Sequence, residues 1–191
     1  MAKGVSLLLF FTLSILFFSF IAEGKSDSPQ PHPVFGYRQE KLSHLRFYFH
    51  DLFGGRNPTA VTIIPPVSND TSRILGFGAV SMIDDPLTQG PEITSKPVGR
   101  AQGFFAAASL SENDVGLLMS MTFVFTSGKH NGSTLSILGR NALSSEAREM
   151  PVVGGSGLFR WARGYVQMRT YSVSATMTDS VVEYNVYVLH Y

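Results

Sequence analysis

The chain is 191 residues long, with 15 Lys+Arg against 14 Asp+Glu, no cysteine, 44% hydrophobic and 12% aromatic residues. That length makes one domain the default. A net charge of +1 over so few ionisable groups excludes the basic stripe that a nucleic acid or an anionic membrane surface requires. Without a thiol there is no disulfide scaffold, no Cys nucleophile and no Cys-ligated zinc or iron–sulfur cluster.

In chain order, residues 1–24 come first, with a basic start at Lys3, a run of Leu and Phe from Val5 to Ala22, and the closing Ala22-Glu23-Gly24. Small residues at the two positions a signal peptidase reads make this a secretory signal cleaved near Gly24. The competing reading is a retained membrane anchor, but a cleavage-like site follows at once and no second apolar span exists. Secretion gives meaning to Asn69-Asp70-Thr71 and Asn131-Gly132-Ser133, both N-x-S/T glycosylation acceptors among turn formers, whereas Asn57-Pro58-Thr59 is excluded by its proline. Residues 25–42 are polar and proline-bearing without periodicity, a flexible leader. The folded domain is expected over residues 43–191.

Eight runs in that domain are rich in aromatic and β-branched side chains and are punctuated by turn formers: His44–His50, Ala60–Ile64, Leu75–Ile83, Gly99–Ala107, Leu117–Phe125, Ser133–Leu138, Trp161–Tyr171 and Val181–Leu189. No segment carries the capped i, i+3, i+4 spacing of a crossover helix, so an antiparallel all-β fold is predicted. Composition leaves sandwich and closed barrel open. Leu117–Phe125 is apolar at alternate positions and keeps Leu118 and Val124 on its other face. A strand apolar on both faces needs a second cover. An eight-stranded antiparallel barrel assembled as a homo-oligomer, dimer or trimer, supplies it.

Alternation along the strands then places the candidate chemistry. Phe47, Phe49 and Asp51 share one face, and a carboxyl beside apolar rings is costly to ionise, which suits a proton donor or an anchor for a phenol. The plainer role for Asp51 is capping the Leu52-Phe53-Gly54-Gly55 loop. Asp84 and Asp85, in Asp84-Asp85-Pro86-Leu87-Thr88, point to opposite faces, so only one can join Asp51 in a two-carboxylate site, and Asp-Pro is also an ordinary turn starter. Arg100 and Arg163 interrupt apolar runs, where an unpaired charge is expensive, so each should have a partner.

Gly154-Gly155-Ser156-Gly157 matches neither a nucleophile elbow, a dinucleotide fingerprint nor a P-loop. His32, His44, His50, His130 and His190 lack metal-ligand spacing, and no flavin or nicotinamide motif occurs. No cofactor is expected. In an oxidative pathway another protein would have to remove the electron.

Nine blocks stand in order from Leu42 to the C-terminus. They are His50-Asp51, Asn57-Pro58-Thr59, Asp84-Asp85-Pro86-Leu87-Thr88, Val98-Gly99-Arg100-Ala101-Gln102-Gly103, Asn131-Gly132-Ser133-Thr134-Leu135, Gly139-Arg140-Asn141, Val152-Val153-Gly154-Gly155-Ser156-Gly157, Ala162-Arg163-Gly164-Tyr165 and Val182-Glu183-Tyr184-Asn185-Val186-Tyr187-Val188. Together they resemble the plant dirigent proteins. The resemblance implies a secreted, glycosylated eight-stranded barrel similar to allene oxide cyclases, forming homo-oligomers in the apoplast. It implies a phenolic small-molecule partner, and phenoxy radicals made by an external laccase or peroxidase and steered into one optically active lignan. Some members instead close quinone methides into rings, as in pterocarpan formation.

Carried over residue by residue, the resemblance makes Asp51 the pocket acid, Asp84 and Asp85 the paired acids, and Arg148 and Arg100 the cations that hold substrate. Phe47, Phe49 and Phe105 become walls. Asn141 stands where lignan-forming members carry an acid, and Phe105 where they carry a tyrosine. Three functions follow: directed radical coupling in a barrel pocket, acid-assisted cyclisation of a quinone methide, and a cell-wall defence protein without selective chemistry.

Overall fold

The computed structural model describes residues 39–67, 75–111, 113–176 and 178–191. Within them the aromatic and β-branched runs form β1 (Lys41–Leu52), β2 (Ala60–Ile64), β3 (Val80–Thr88), β4 (Pro97–Ala107), β5 (Gly116–Phe125), β6 (Thr134–Ala142), β7 (Arg148–Ser156), β8 (Arg163–Val173) and β9 (Asp179–His190). All pairings are antiparallel, in the order β1-β9-β8-β7-β6-β5-β4-β3-β2, and β1 returns to pair with β3. Eight strands therefore close into a barrel, the fold expected from the sequence. The ninth, β2, lies along β3 beyond the end of β1.

Closure depends on period-2 alternation. In β5, Leu117, Met119, Met121, Phe123 and Phe125 are at most 5% exposed, whereas Leu118 is 43% exposed on the outer face. Inside, Phe47 meets Phe123 edge-on at 5.1 Å and stacks on Tyr184 at 5.9 Å, and Phe123 meets Tyr184 edge-on at 5.4 Å. Such aromatic pairs each add about 0.5–1.5 kcal/mol beyond the area they bury. Gly103 in β4 lets two backbones approach, because a Cβ there would run into the Ser120 carbonyl of β5.

Four expectations about strand limits need correction. The segment Arg148–Ser156 is a strand, although Pro151, Gly154 and Gly155 read as breakers. Its ladder to β6 ends at Ile137↔Val152, so the missing N–H of Pro151 falls where that ladder has stopped. The run from Leu75 becomes strand only at Val80, after a turn in which Gly78 adopts φ 85° and the Ala79 N–H donates to the Gly76 carbonyl. Third, Asp84-Asp85-Pro86 is not a turn but the middle of β3. At one edge of β3, pairing with β2 ends at Ala60↔Ile83 and pairing with β1 begins at Phe49↔Leu87. Pro86 occupies the gap between them, where its missing N–H leaves no ladder bond unmade. At the N-terminal edge of the domain, Lys41 and Leu42 belong to β1 rather than to a leader.

Candidate functional site

The gap between β1 and β2 builds the site. As β1 ends and the chain loops back, the Thr59 N–H donates to the Leu52 carbonyl (2.8 Å) and the Asp84 N–H donates to the Thr59 carbonyl (2.9 Å). These bonds bring the end of β1, the start of β2 and the middle of β3 together. Asp51 follows Phe47 and Phe49 on the inward face of β1, and Asp85 stands between Ile83 and Leu87 on the inward face of β3, fully buried. The loop-capping role considered for Asp51 belongs to Asp179, whose Oδ1 accepts the Gly54 N–H at 2.8 Å.

Each acid keeps one buried oxygen with no hydrogen-bond partner among the described residues, Oδ1 of Asp51 and Oδ2 of Asp85. Burial pushes the Asp51 carboxyl up to about 7, with the Asp179 charge adding to the rise. Burial and then the Asp51 charge push Asp85 up to about 8, although a hydrogen bond from Thr59 pulls the other way. An ionised carboxylate among phenylalanines loses its hydration, so the acid forms persist to neutral pH.

Two further groups face the same interior. Arg148, 6% exposed, donates from Nη2 to Thr170 Oγ1 at 2.7 Å and from Nη1 to Asn141 Oδ1 at 3.3 Å, both neutral partners. Burial lowers its pKa, opposed by the neighbouring Tyr184 phenol. Tyr184 is 1% exposed, and burial raises its phenol above the usual range, with Arg148 opposing and both aspartates reinforcing. Below neutral pH the interior thus holds two acids in proton-donating form, with a neutral phenol and a guanidinium that has no carboxylate partner among the described residues.

The remaining sequence candidates divide by face. Phe47, Phe49 and Phe105 are inward and at most 3% exposed, and Phe105 packs against Phe53 at 6.1 Å. Asn141 is inward, donating from Nδ2 to Met119 Sδ at 3.2 Å while it accepts from Arg148. Asp84 and Arg100 stand outside the barrel, contrary to a role for either in this interior. Arg100 Nε donates to Asp84 Oδ1 at 2.5 Å across the β3–β4 ladder, with side chains 41% and 53% exposed. The reason is parity: Asp84 follows the outward Met82, and Arg100 pairs across from Pro86. Arg163 is also outward and has the partner its charge demands, Glu40 at 2.5 Å. Asn131 is exposed after a single 3-10 turn at Gly128–His130. Asn69 and residues 1–38 lie outside the described residues.

Tyr184, Thr59 and Thr170 were not singled out from sequence. The signal for Tyr184 was available, because alternation puts it on the inward face with Val182, Val186 and Val188, a lone phenol in an aliphatic row. Thr59 stood in the Asn57-Pro58-Thr59 block without a role of its own, and Thr170, inside β8, carried no signal. His50, beside Asp51, faces the other way. It is 2% exposed and its Nε2 lies 2.7 Å from Thr88 Oγ1, which donates to the Gly90 carbonyl, so the imidazole clamps β1 to β3. Burial lowers its pKa, opposed by Glu92.

The fold and interior define a class, a closed antiparallel barrel with an ionisable cluster set into an aromatic interior. A family model described as Dirigent-like protein matches residues 42–189, and the chain belongs to that family. Pterocarpan synthase 1 of Glycyrrhiza echinata is 46% identical over 192 residues, spanning 100% of both chains. Dirigent protein 21 of Arabidopsis thaliana is 47% identical over 188 residues, 96% of each. The solved structure of a pterocarpan synthase dirigent protein superposes with a TM-score of 0.75 at 48% identity, covering 82% of this chain and 89% of that one.

Proposed function

We propose that this protein closes a quinone methide into a ring by removing water from a hydroxylated phenolic precursor of the isoflavanol type, without an oxidant. The observation that carries this reading is the inward pair Asp51 and Asp85, each with an unpartnered oxygen and each retaining its proton to neutral pH. Full-length similarity to a pterocarpan synthase supports the same chemistry over directed radical coupling. So do the neutral Asn141 and Phe105, at positions where lignan-forming members are expected to carry an acid and a phenol.

In the proposed reaction a protonated carboxyl donates to the leaving hydroxyl, the C–O bond breaks and water departs. The carboxylate so formed takes the proton of the conjugated phenol, which gives the neutral quinone methide and restores the acid. An internal phenol oxygen then adds to the electrophilic carbon, and its proton passes to the quinone methide oxygen. One water is lost and no electron is transferred. Arg148, balanced only by neutral groups, stabilises the negative charge that develops on the conjugated oxygen, and the phenylalanine walls hold one face of the carbon toward the nucleophile. Secretion through residues 1–24, glycosylation at Asn69 and Asn131, an apoplastic site of action and a homo-oligomer remain parts of the same proposal.

One pair of assays tests the reaction. The protein is incubated with an isoflavanol bearing a free internal phenol and no oxidant, and separately with coniferyl alcohol and a one-electron oxidant, and the products are resolved by chiral chromatography. Loss of water to a single enantiomer in the first with racemic lignan in the second is expected. An inert isoflavanol together with enantiomeric excess in the lignan would replace cyclisation with directed coupling.

A further inference from the structure

Asp85 meets its surroundings unevenly. One oxygen, Oδ1, accepts from Thr59 Oγ1 at 2.5 Å, and the other, Oδ2, is buried with no partner among the described residues. The Thr59 hydroxyl is itself fixed, because its oxygen accepts the Leu52 N–H at 3.3 Å while the Thr59 N–H and carbonyl are tied to Leu52 and Asp84. A threonine hydroxyl has one hydrogen to give. With a backbone N–H already directed at its oxygen, that hydrogen goes to Asp85.

We propose that Thr59 is a positioning residue that determines which oxygen of Asp85 offers the proton to the substrate. This rests on the cyclisation reading and extends it to a residue outside the catalytic pair. Oδ1, engaged as an acceptor, takes the role of the carbonyl oxygen of the neutral acid, and the proton rides on Oδ2. A carboxylic acid free to turn would present its proton in several directions, and an acid donating back to Thr59 would present none. The hydroxyl comes from Thr59, the last residue of the β1–β2 loop, so the break that lets β1 and β2 share one edge of β3 also aims the acid.

The same bond adjusts acid strength. It favours the ionised form of Asp85, against burial. Asp51 from β1 and the Tyr184 phenol from β9 act on the carboxyl from within the barrel, and Asp84 and Arg100 act on it more weakly from the outer face of β3 and β4. Thr59→Val keeps all of them and the side-chain shape, and removes only the hydroxyl.

The test follows the Asp85 carboxyl by NMR with carbon-13-labelled aspartate in the full chain, beside the pH dependence of kcat on the isoflavanol. In T59V the Asp85 titration and the alkaline limb of kcat are both expected to move up by about one pH unit, and plateau kcat to fall about tenfold. T59S restores both. A T59V protein that melts like the parent and has an unchanged titration and pH limb overturns the proposal. If T59V fails to fold, T59A carries the same comparison against T59S. A titration that moves in a protein whose parent is inert toward the isoflavanol supports the hold of Thr59 on Asp85 and overturns the cyclisation reading instead.

Discussion

At the end of the barrel where β1 begins, Phe125, Phe159 and His130 pack as rings 5.1–5.8 Å apart, and Phe159 also meets His190 at 5.1 Å. From the middle of β1 to its end, Tyr184, Arg148, Asp51 and Asp85 share the same kind of apolar enclosure, and two carboxyl oxygens have no partner among the described residues. Both regions have strand walls and alternate side chains inward. They differ in what burial does. Around Phe159 it removes apolar surface from water and stabilises the fold. Around Asp85 it takes groups from water that prefer to be ionised there, which costs stability and shifts proton affinity. Burial in the acidic region therefore raises proton affinity at a cost in stability, and on the proposed cyclisation substitutions in the two regions should separate function from folding.

The largest separation is expected from Asp85→Asn, which removes the proton and keeps the shape. Turnover of the isoflavanol should fall roughly 10²- to 10⁴-fold, measured by product formation at saturating substrate, with no loss of thermal stability. Phe159→Ala should do the reverse. Truncating a fully buried ring costs about 3–5 kcal/mol, visible as a lower urea midpoint, while the pH limbs of kcat stay in place.

Next in size is the pH dependence of stability. Both carboxyl pKa values lie above the unfolded value of 3.8, at about 7 and about 8, so the folded state binds these protons more tightly than the unfolded chain. Their contribution is fully present below about pH 4 and is lost as the pH rises through 7 and 8. Melting curves from pH 4 to 9 should show that decline in the parent and a shallower one in Asp85→Asn. At pH 9 the variant should melt higher by roughly 5 °C. The smallest effect is expected on the outer wall, where removing the exposed pair by Asp84→Asn or Arg100→Gln should change stability by less than about 1 kcal/mol and leave turnover unaltered. A large loss of turnover there would erase the distinction between the faces of β3.

How much of this was legible in sequence varies with the kind of inference. The row Phe47, Phe49, Asp51 was readable because alternation depends on nothing but the backbone, and so was the division of Asp84 and Asp85 between two faces. Which of the two points inward was not, because parity needs an origin and the expected strand began at Leu75 rather than Val80. β7 escaped because Pro151 and two glycines look like breakers until the extent of the neighbouring ladder is known. Arg100 resembled a binding residue because a charge in an apolar run demands a partner, and local sequence does not show that Asp84 supplies it across the strand pair.

By itself, the sequence determined the all-β class, the antiparallel order, the apolar alternation and the family, since all of these rest on local periodicity and ordered motifs. Tertiary structure decided the rest: that β2 continues along β3 past the end of β1, that Thr59 consequently reaches Asp85, and that Tyr184 comes within electrostatic reach of Arg148 and of both acids from strands far apart in the chain. Burial and charge neighbourhood set these proton affinities, and both arise only when the barrel closes.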